Sequence, residues 1–101
     1  MFRIGGVPEH FNLPWHLAME QGLFSARNLE VSWTDYPGGT GAMCQDLREG
    51  RLDIALLLTE GILAELTRNP HSKILQVYVT TPLVWGVHVP AGSSILSYKD
   101  I

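Results

Sequence analysis

Runs that read as strands alternate with stretches that read as helices along this sequence, and that alternation narrows the fold to one class. "FRIGGVP" (Phe2–Pro8) alternates weakly and ends in proline, as a strand buried on both faces does. Leu13, Leu17, Met19, Leu23 and Phe24 then recur at broadly helical spacing, with Asn12 as N-cap, Pro14 in the first turn and Gly22 near the end. "LEVSWTDY" (Leu29–Tyr36) sets Leu29, Val31 and Trp33 on one face of a half-buried strand. From Gly41 to Glu49 a second helix turns Met43, Cys44 and Leu47 inward and Gln45, Asp46, Arg48 and Glu49 outward. "GRLDIALLL" (Gly50–Leu58) is a turn feeding a strand apolar on both faces, which suits the interior of a parallel sheet.

Thr59 reads as the N-cap of a short helix reaching about Arg68 and ended by "NPHS". "KILQVYVTT" and "PLVWGVHVP" read as two further strands, and "AGSSILSYKDI" as a polar turn opening another helix. The order β-α-β-α-β-α-β-β predicts an α/β three-layer lobe with a mainly parallel sheet. Trp33 and Trp85, inside strands, are expected in the core.

Composition removes several functions. Seven Lys and Arg against ten Asp and Glu give a net charge of −3, and Arg3, Arg27, Arg48, Arg51, Arg68, Lys73 and Lys99 are spread thinly. A nucleic-acid surface clusters such residues, so none is expected. Cys44 is the one cysteine, which excludes an internal disulfide and a multi-thiolate metal site and reads as core filler. No apolar run approaches the ~18 residues of a membrane span. Met1 leads straight into a strand with no export signal, so a cytoplasmic location is expected, or a periplasmic one if Met1 stands where a signal was removed.

In an open α/β sheet, ligands bind beyond the carboxyl ends of the strands. Three βα loops meet that description: "PEHFN", "YPGGTG" and "LTEG". Each leads into a helix N-terminus, whose free N–H groups suit a carboxylate, sulfonate, phosphate or carbonyl oxygen. "PGGTGAM" (Pro37–Met43) has neither the G-x-G-x-x-G spacing of a dinucleotide loop nor the lysine of a Walker loop. It is a glycine-rich turn with Thr40 as helix cap, or one wall of a pocket. His10 beside Glu9 is placed to touch a ligand, whereas His16, His71 and His88 read as structural or solvated. No histidine spacing supports a metal site, and no cofactor is expected. Glu60 is accounted for by the helix dipole. Phe11, Trp15 and Tyr36 are aromatics beside polar loops, the means by which a small-molecule pocket stacks its ligand.

These residues resemble a known family. "RIGGVPEHFNLPWHLAMEQGLF", "LEVSWTDYPGGTGAMCQDLREGRLDIALLLTEG" and "GVHVPAGSSILSYKDI" look like the first lobe of a type II periplasmic-binding-protein fold. The nearest likeness is to ABC-transporter substrate-binding proteins of the nitrate, sulfonate, taurine and thiamine-pyrimidine-precursor group. It rests on Ala18, Glu20, Gly22, Leu23 and Phe24 of "A-x-E-x-G-L/F-F", on "L-E-V" with its following glycine turn, and on Leu47, Gly50, Asp53, Ile54 and Ala55 of "L-x-x-G-x-[LAE]-D-I-A".

The resemblance implies that residues 1–101 are an N-terminal lobe, with a crossover into a second lobe just after Ile101. It also implies a sheet order 2-1-3-n-4, in which strand n returns from that second lobe. Strands three and four are then expected to lack the strand between them, and only a longer chain is expected to be stable. The ligand-facing residues implied are Glu9, His10, Phe11 and Asn12, then Gly38, Gly39, Thr40 and Gly41, then Thr59, Glu60 and Gly61, with Tyr36 as a stacking aromatic. The ligand is a pyrimidine-like molecule or small anion, held between two lobes, and an ABC-transporter permease is the implied partner. No catalytic residue is assigned. Two alternatives share the architecture: an enzyme of the pyrimidine-precursor synthase or menaquinone-pathway type, and the effector lobe of a LysR-type regulator.

Overall fold

Strand β1 (Phe2–Gly6) lies at the centre of the sheet, in the computed structural model that describes residues 1–82 and 84–100. It pairs in parallel with β2 (Val31–Asp35), from Phe2 opposite Val31 to Gly6 opposite Asp35. On its other side it pairs in parallel with β3 (Ile54–Ala55), through Ile4 with Ile54 and Gly5 with Ala55. The order β2-β1-β3 brings all three carboxyl ends to one edge.

Helix α1 (Leu13–Glu20) follows β1, α2 (Gly39–Arg48) follows β2 and α3 (Thr59–Arg68) follows β3. The two faces of β1 serve different helices, as the period-2 geometry of a strand requires. Gly5 faces Tyr36 and Leu52 on the α2 side; a Cβ there would stand 2.6 Å from Tyr36 Cε2. Gly6 faces Asn12 and Trp33 on the α1 side. Helix α2 packs across β1 and β3 and against α3. Its Met43 and Cys44 are buried with Leu52 on that side, while Ile4, on the same face of β1 as Gly6 and opposite Trp33, is buried on the α1 side. Burial pushes the Cys44 thiol up, which fits core filling rather than reactivity. On the opposite face, Trp15 and His16 of α1 meet the Trp33 ring at centroid distances of 6.0 and 5.1 Å.

The start of β1 is tied to the turn before β3 by a two-pronged ion pair. Arg3 donates from Nε to Asp53 Oδ2 at 2.9 Å and from Nη2 to Oδ1 at 2.6 Å, and its backbone N–H also reaches Oδ2 at 2.8 Å. These bonds to the charged form hold the Asp53 carboxyl at about 2 instead of its ordinary 3.8. A carboxylate lowered by folding stabilises the fold fully above its unfolded value, and that contribution is lost as pH falls through the folded one. The denaturant midpoint should therefore drop as pH is lowered from 3.8 to about 2, and Asp53→Asn should flatten that drop. Identical acid profiles for the two proteins, followed by tryptophan fluorescence, would contradict the assignment.

The α/β class and the parallel sheet are as the sequence reading expects, but the last two expected strands do not form. Neither 73–81 nor the described part of 82–90 is in a strand, and Leu83 lies outside the described residues. Strand pairing needs a neighbour's backbone, and β3 is hydrogen-bonded only to β1 among the described residues. The apolar side chains meant for that sheet are left in solvent, with Leu75 80%, Val84 97% and Trp85 78% exposed. Trp85 is thus not a core residue. The Cα radius of gyration is 17.4 Å, against about 13 Å for a compact chain of this size.

After Pro90 the chain forms a turn and a single 3-10 turn over Tyr98–Asp100 instead of a helix; Ile101 lies outside the described residues. Among the described residues no helix is long and apolar enough to cross a membrane.

Candidate functional site

The three loops expected to hold a ligand emerge side by side at the carboxyl edge of the sheet. Backbone hydrogen bonds fix their roots: Tyr36 N–H donates to Gly6 O at 2.8 Å and Leu56 N–H to Gly5 O at 2.9 Å. Each loop then opens a helix, so the first N–H groups of α1, α2 and α3 all lie at this edge.

In the first loop, Glu9 and His10 are exposed and Phe11 is half-buried, with the His10 and Phe11 rings edge to face at 5.6 Å. The residues His10–Asn12 form a 3-10 turn, which leaves Asn12 at φ −90°, ψ −3°. An N-cap side chain works from an extended backbone. Asn12 therefore does not cap α1 as expected. Its amide folds back instead, and Nδ2 donates to Val7 O at 2.7 Å. Asn12 is fully buried, and its Oδ1 has no hydrogen-bond partner.

The second loop is the glycine turn. Gly38, not Thr40, occupies the cap position of α2, and no side chain caps it. Gly39 takes φ +71°, a left-handed conformation that a Cβ penalises, and its N–H donates to Tyr36 O at 2.9 Å. Gly38 and Gly41 are exposed. Tyr36 is anchored rather than free: its hydroxyl donates to Asp46 Oδ2 at 2.5 Å, and its ring lies against Gly5. Donation to Asp46 raises the Tyr36 phenol, while bonds from Arg51 and Tyr36 lower the Asp46 carboxyl.

In the third loop Leu58 is extended (φ −67°, ψ 137°), so it takes the cap position and Thr59 is already helical. The expected Thr59 cap is thus shifted by one residue. Thr59 and Glu60 are exposed, Glu60 in the first turn. Thr40 and Gly61 are in contact: a Cβ at Gly61 would stand 2.5 Å from Thr40 Cγ2. A side chain at position 61 would require Thr40 to shift for the first turns of α2 and α3 to close on each other this way.

The sequence reading missed the anchors behind this edge. Tyr36 and Asp46 are ten positions apart with no motif between them. Tyr78 donates to Phe11 O at 2.9 Å across 67 positions, and its ring lies 6.3 Å from that of Trp15. A strand pattern gives no hint of that tie.

The edge itself is an open wall. Two clefts lie elsewhere: one of about 220 Å³ lined by Pro14, Trp15, Ala18, Phe24 and Tyr78, and one of about 210 Å³ under Met19 and Phe24. Among the described residues no three His, Cys, Asp or Glu side chains are grouped to hold a metal.

No family model and no curated protein matches the sequence. Among solved structures, a conserved gene product of Candida albicans, described as defining a new family of proteins with the generic periplasmic binding protein fold, aligns with 68% of this chain. The two are 30% identical with a TM-score of 0.65, and the aligned part makes up 22% of that chain. The present chain therefore has the α/β fold of a periplasmic-binding-protein-like lobe, and it spans about a fifth of its structural neighbour.

Proposed function

We propose that this lobe supplies one wall of a small-molecule binding site, with the ligand held by the three βα loops and closed over by a second lobe. The observation that carries the reading is the convergence of three helix N-termini at one sheet edge, with Thr40 packed on Gly61 and bare glycine backbone between Gly38 and Gly41. Helix N-termini recognise polar atoms through free N–H groups, and the half-buried Phe11 supplies stacking surface, while Tyr36 holds the root of the second loop through Asp46 and Gly5. Glu9, His10, Thr59 and Glu60 complete the proposed ligand-facing set, and the buried Asn12 supports the first loop from below through Val7 O.

The finer reading is a substrate-binding component of the nitrate, sulfonate and thiamine-pyrimidine-precursor type, closing by hinge motion and delivering its ligand to an ABC-transporter permease. It is supported by the quoted sequence motifs and the shared fold. Thermal melting of the protein with pyrimidines, nitrate and alkylsulfonates tests it. A ligand at a hundredfold over its Kd adds about 2.7 kcal/mol, which is a clear rise in Tm. A flat response to every compound, together with chemical turnover of one of them, would replace the binding role with an enzymatic one.

A further inference from the structure

We infer that Asp46 is a positioning residue for the site: acting through the Tyr36 hydroxyl, it fixes the glycine turn from which α2 starts. The inference rests on the binding role proposed above and gives a part in it to a side chain well inside α2.

The glycine turn has little of its own to hold it. Gly38, Gly39 and Gly41 have wide backbone freedom, and no side chain caps α2. A Cβ at Gly39 or Gly41 would meet no atom within 4 Å, so neither glycine is held by packing, although Thr40 between them rests on Gly61. Pro37 sets its own φ and no other. The path is closed by the Gly39 N–H, which donates to Tyr36 O at 2.9 Å with Gly39 at φ +71°.

Tyr36 grips α2 at two heights. Its carbonyl takes the first residue of the helix, and its hydroxyl donates to Asp46 Oδ2 at 2.5 Å near the far end. One attachment leaves the helix a pivot at the glycines, whereas two fix its direction from the strand end. Tyr36 is itself tied to β1, by its N–H on Gly6 O and by its ring on Gly5 beside Leu52. Asp46 is held from the other side. Its Oδ1 accepts from Arg51 Nε at 3.1 Å and from Arg51 Nη2, which leaves Oδ2 to the phenol. Its carbonyl accepts the Arg51 and Leu52 N–H groups at 2.9 and 3.2 Å. A phenol on a carboxylate is a charge-assisted bond, about twice as strong as a neutral one.

The test is a double-mutant cycle followed by amide signals and hydrogen exchange. Tyr36→Phe keeps the ring and removes the donor, Asp46→Ala removes the acceptor, and Asp46→Asn keeps an acceptor oxygen. Tyr36→Phe and Asp46→Ala should each move the Gly38, Gly39 and Gly41 signals. Each should also speed Gly39 exchange about two- to tenfold, the weight of one such bond. Leu56 N–H, bonded to Gly5 O, should keep its protection. The double variant should match Tyr36→Phe alone, and Asp46→Asn should restore most of the wild-type pattern. Additive effects, equal loss of protection at Gly39 and Leu56, or wild-type glycine signals in Tyr36→Phe overturn the inference. Titration with an aminopyrimidine and with nitrate reads the binding role separately. Tyr36→Phe should weaken whichever binds by about two- to tenfold through lost pre-organisation. Unchanged affinity overturns the inference and leaves the binding role standing. Binding of neither to the wild type contradicts the binding role, and the glycine signals alone then decide whether Asp46 sets the turn.

Discussion

Met43→Ala is expected to lower the unfolding free energy by about 2–5 kcal/mol, the range for removing a large buried side chain from a core that cannot collapse around the gap. Met43 is 0% exposed and sits on α2 where that helix crosses the sheet. On the α2 side of the sheet only Cys44 and Leu52 are comparably buried apolar residues among those described, so little of the surrounding core is available to close the gap. Small domains have about 5–15 kcal/mol in total, so the substitution removes a large part of it. Met43→Leu, which conserves volume, should cost less than about 1.5 kcal/mol. Urea unfolding at constant m-value separates the two. A Met43→Ala loss no larger than that of Met43→Leu would mean that α2 does not pack on the sheet through this residue.

Gly6→Ala is the second large effect, and it acts on both the fold and the site. The added Cβ would stand 2.7 Å from Asn12 Nδ2, 2.8 Å from Trp33 Cη2 and 2.9 Å from Trp33 Cζ2. Neither neighbour is free to give way. The Asn12 amide is bonded to Val7 O, and the Trp33 indole is held by Asp35 and packed on Trp15 and His16. Relief requires the first loop to lift or the indole to swing out, at about 1–3 kcal/mol for overpacking of this kind. Tryptophan fluorescence should shift in the native state as well as in the unfolding midpoint. A variant with wild-type stability and an unchanged native spectrum would contradict the described contact between loop and indole.

How much of this was legible in advance depends on how local each determinant is. The helix over Met43, Cys44 and Leu47 carries its own period, and the structure starts it only two residues earlier, at Gly39. The "GRLDIALLL" run marks a parallel strand correctly, but only Ile54 and Ala55 pair, and both are half-buried at the edge of the described sheet. Caps are less local. They depend on the backbone conformation of the residue before the helix, and a 3-10 turn at Asn12 or an extended Leu58 shifts them.

Strand content beyond Arg68 was the least legible, because strand formation depends on an edge to pair with as well as on residue type. "KILQVYVTT" has the composition of a strand, yet among the described residues its firmest tie is Tyr78 on the carbonyl of Phe11. At the site, loop position and glycine content were readable. The Tyr36–Asp46 anchor and the orphan Asn12 oxygen were not, since both arise from side chains that turn away from their expected partners.

The central claim is that one sheet edge, formed by three βα loops, carries the ligand. Mapping amide chemical shifts of the protein during titration with an aminopyrimidine tests it most directly. The account predicts saturable shifts clustered at residues 9–12, 38–41 and 59–61, with the opposite edge around Glu30 and Arg51 unmoved. Saturable shifts confined to the aromatic cleft of Trp15, Phe24 and Tyr78, with the three loops silent, would contradict it.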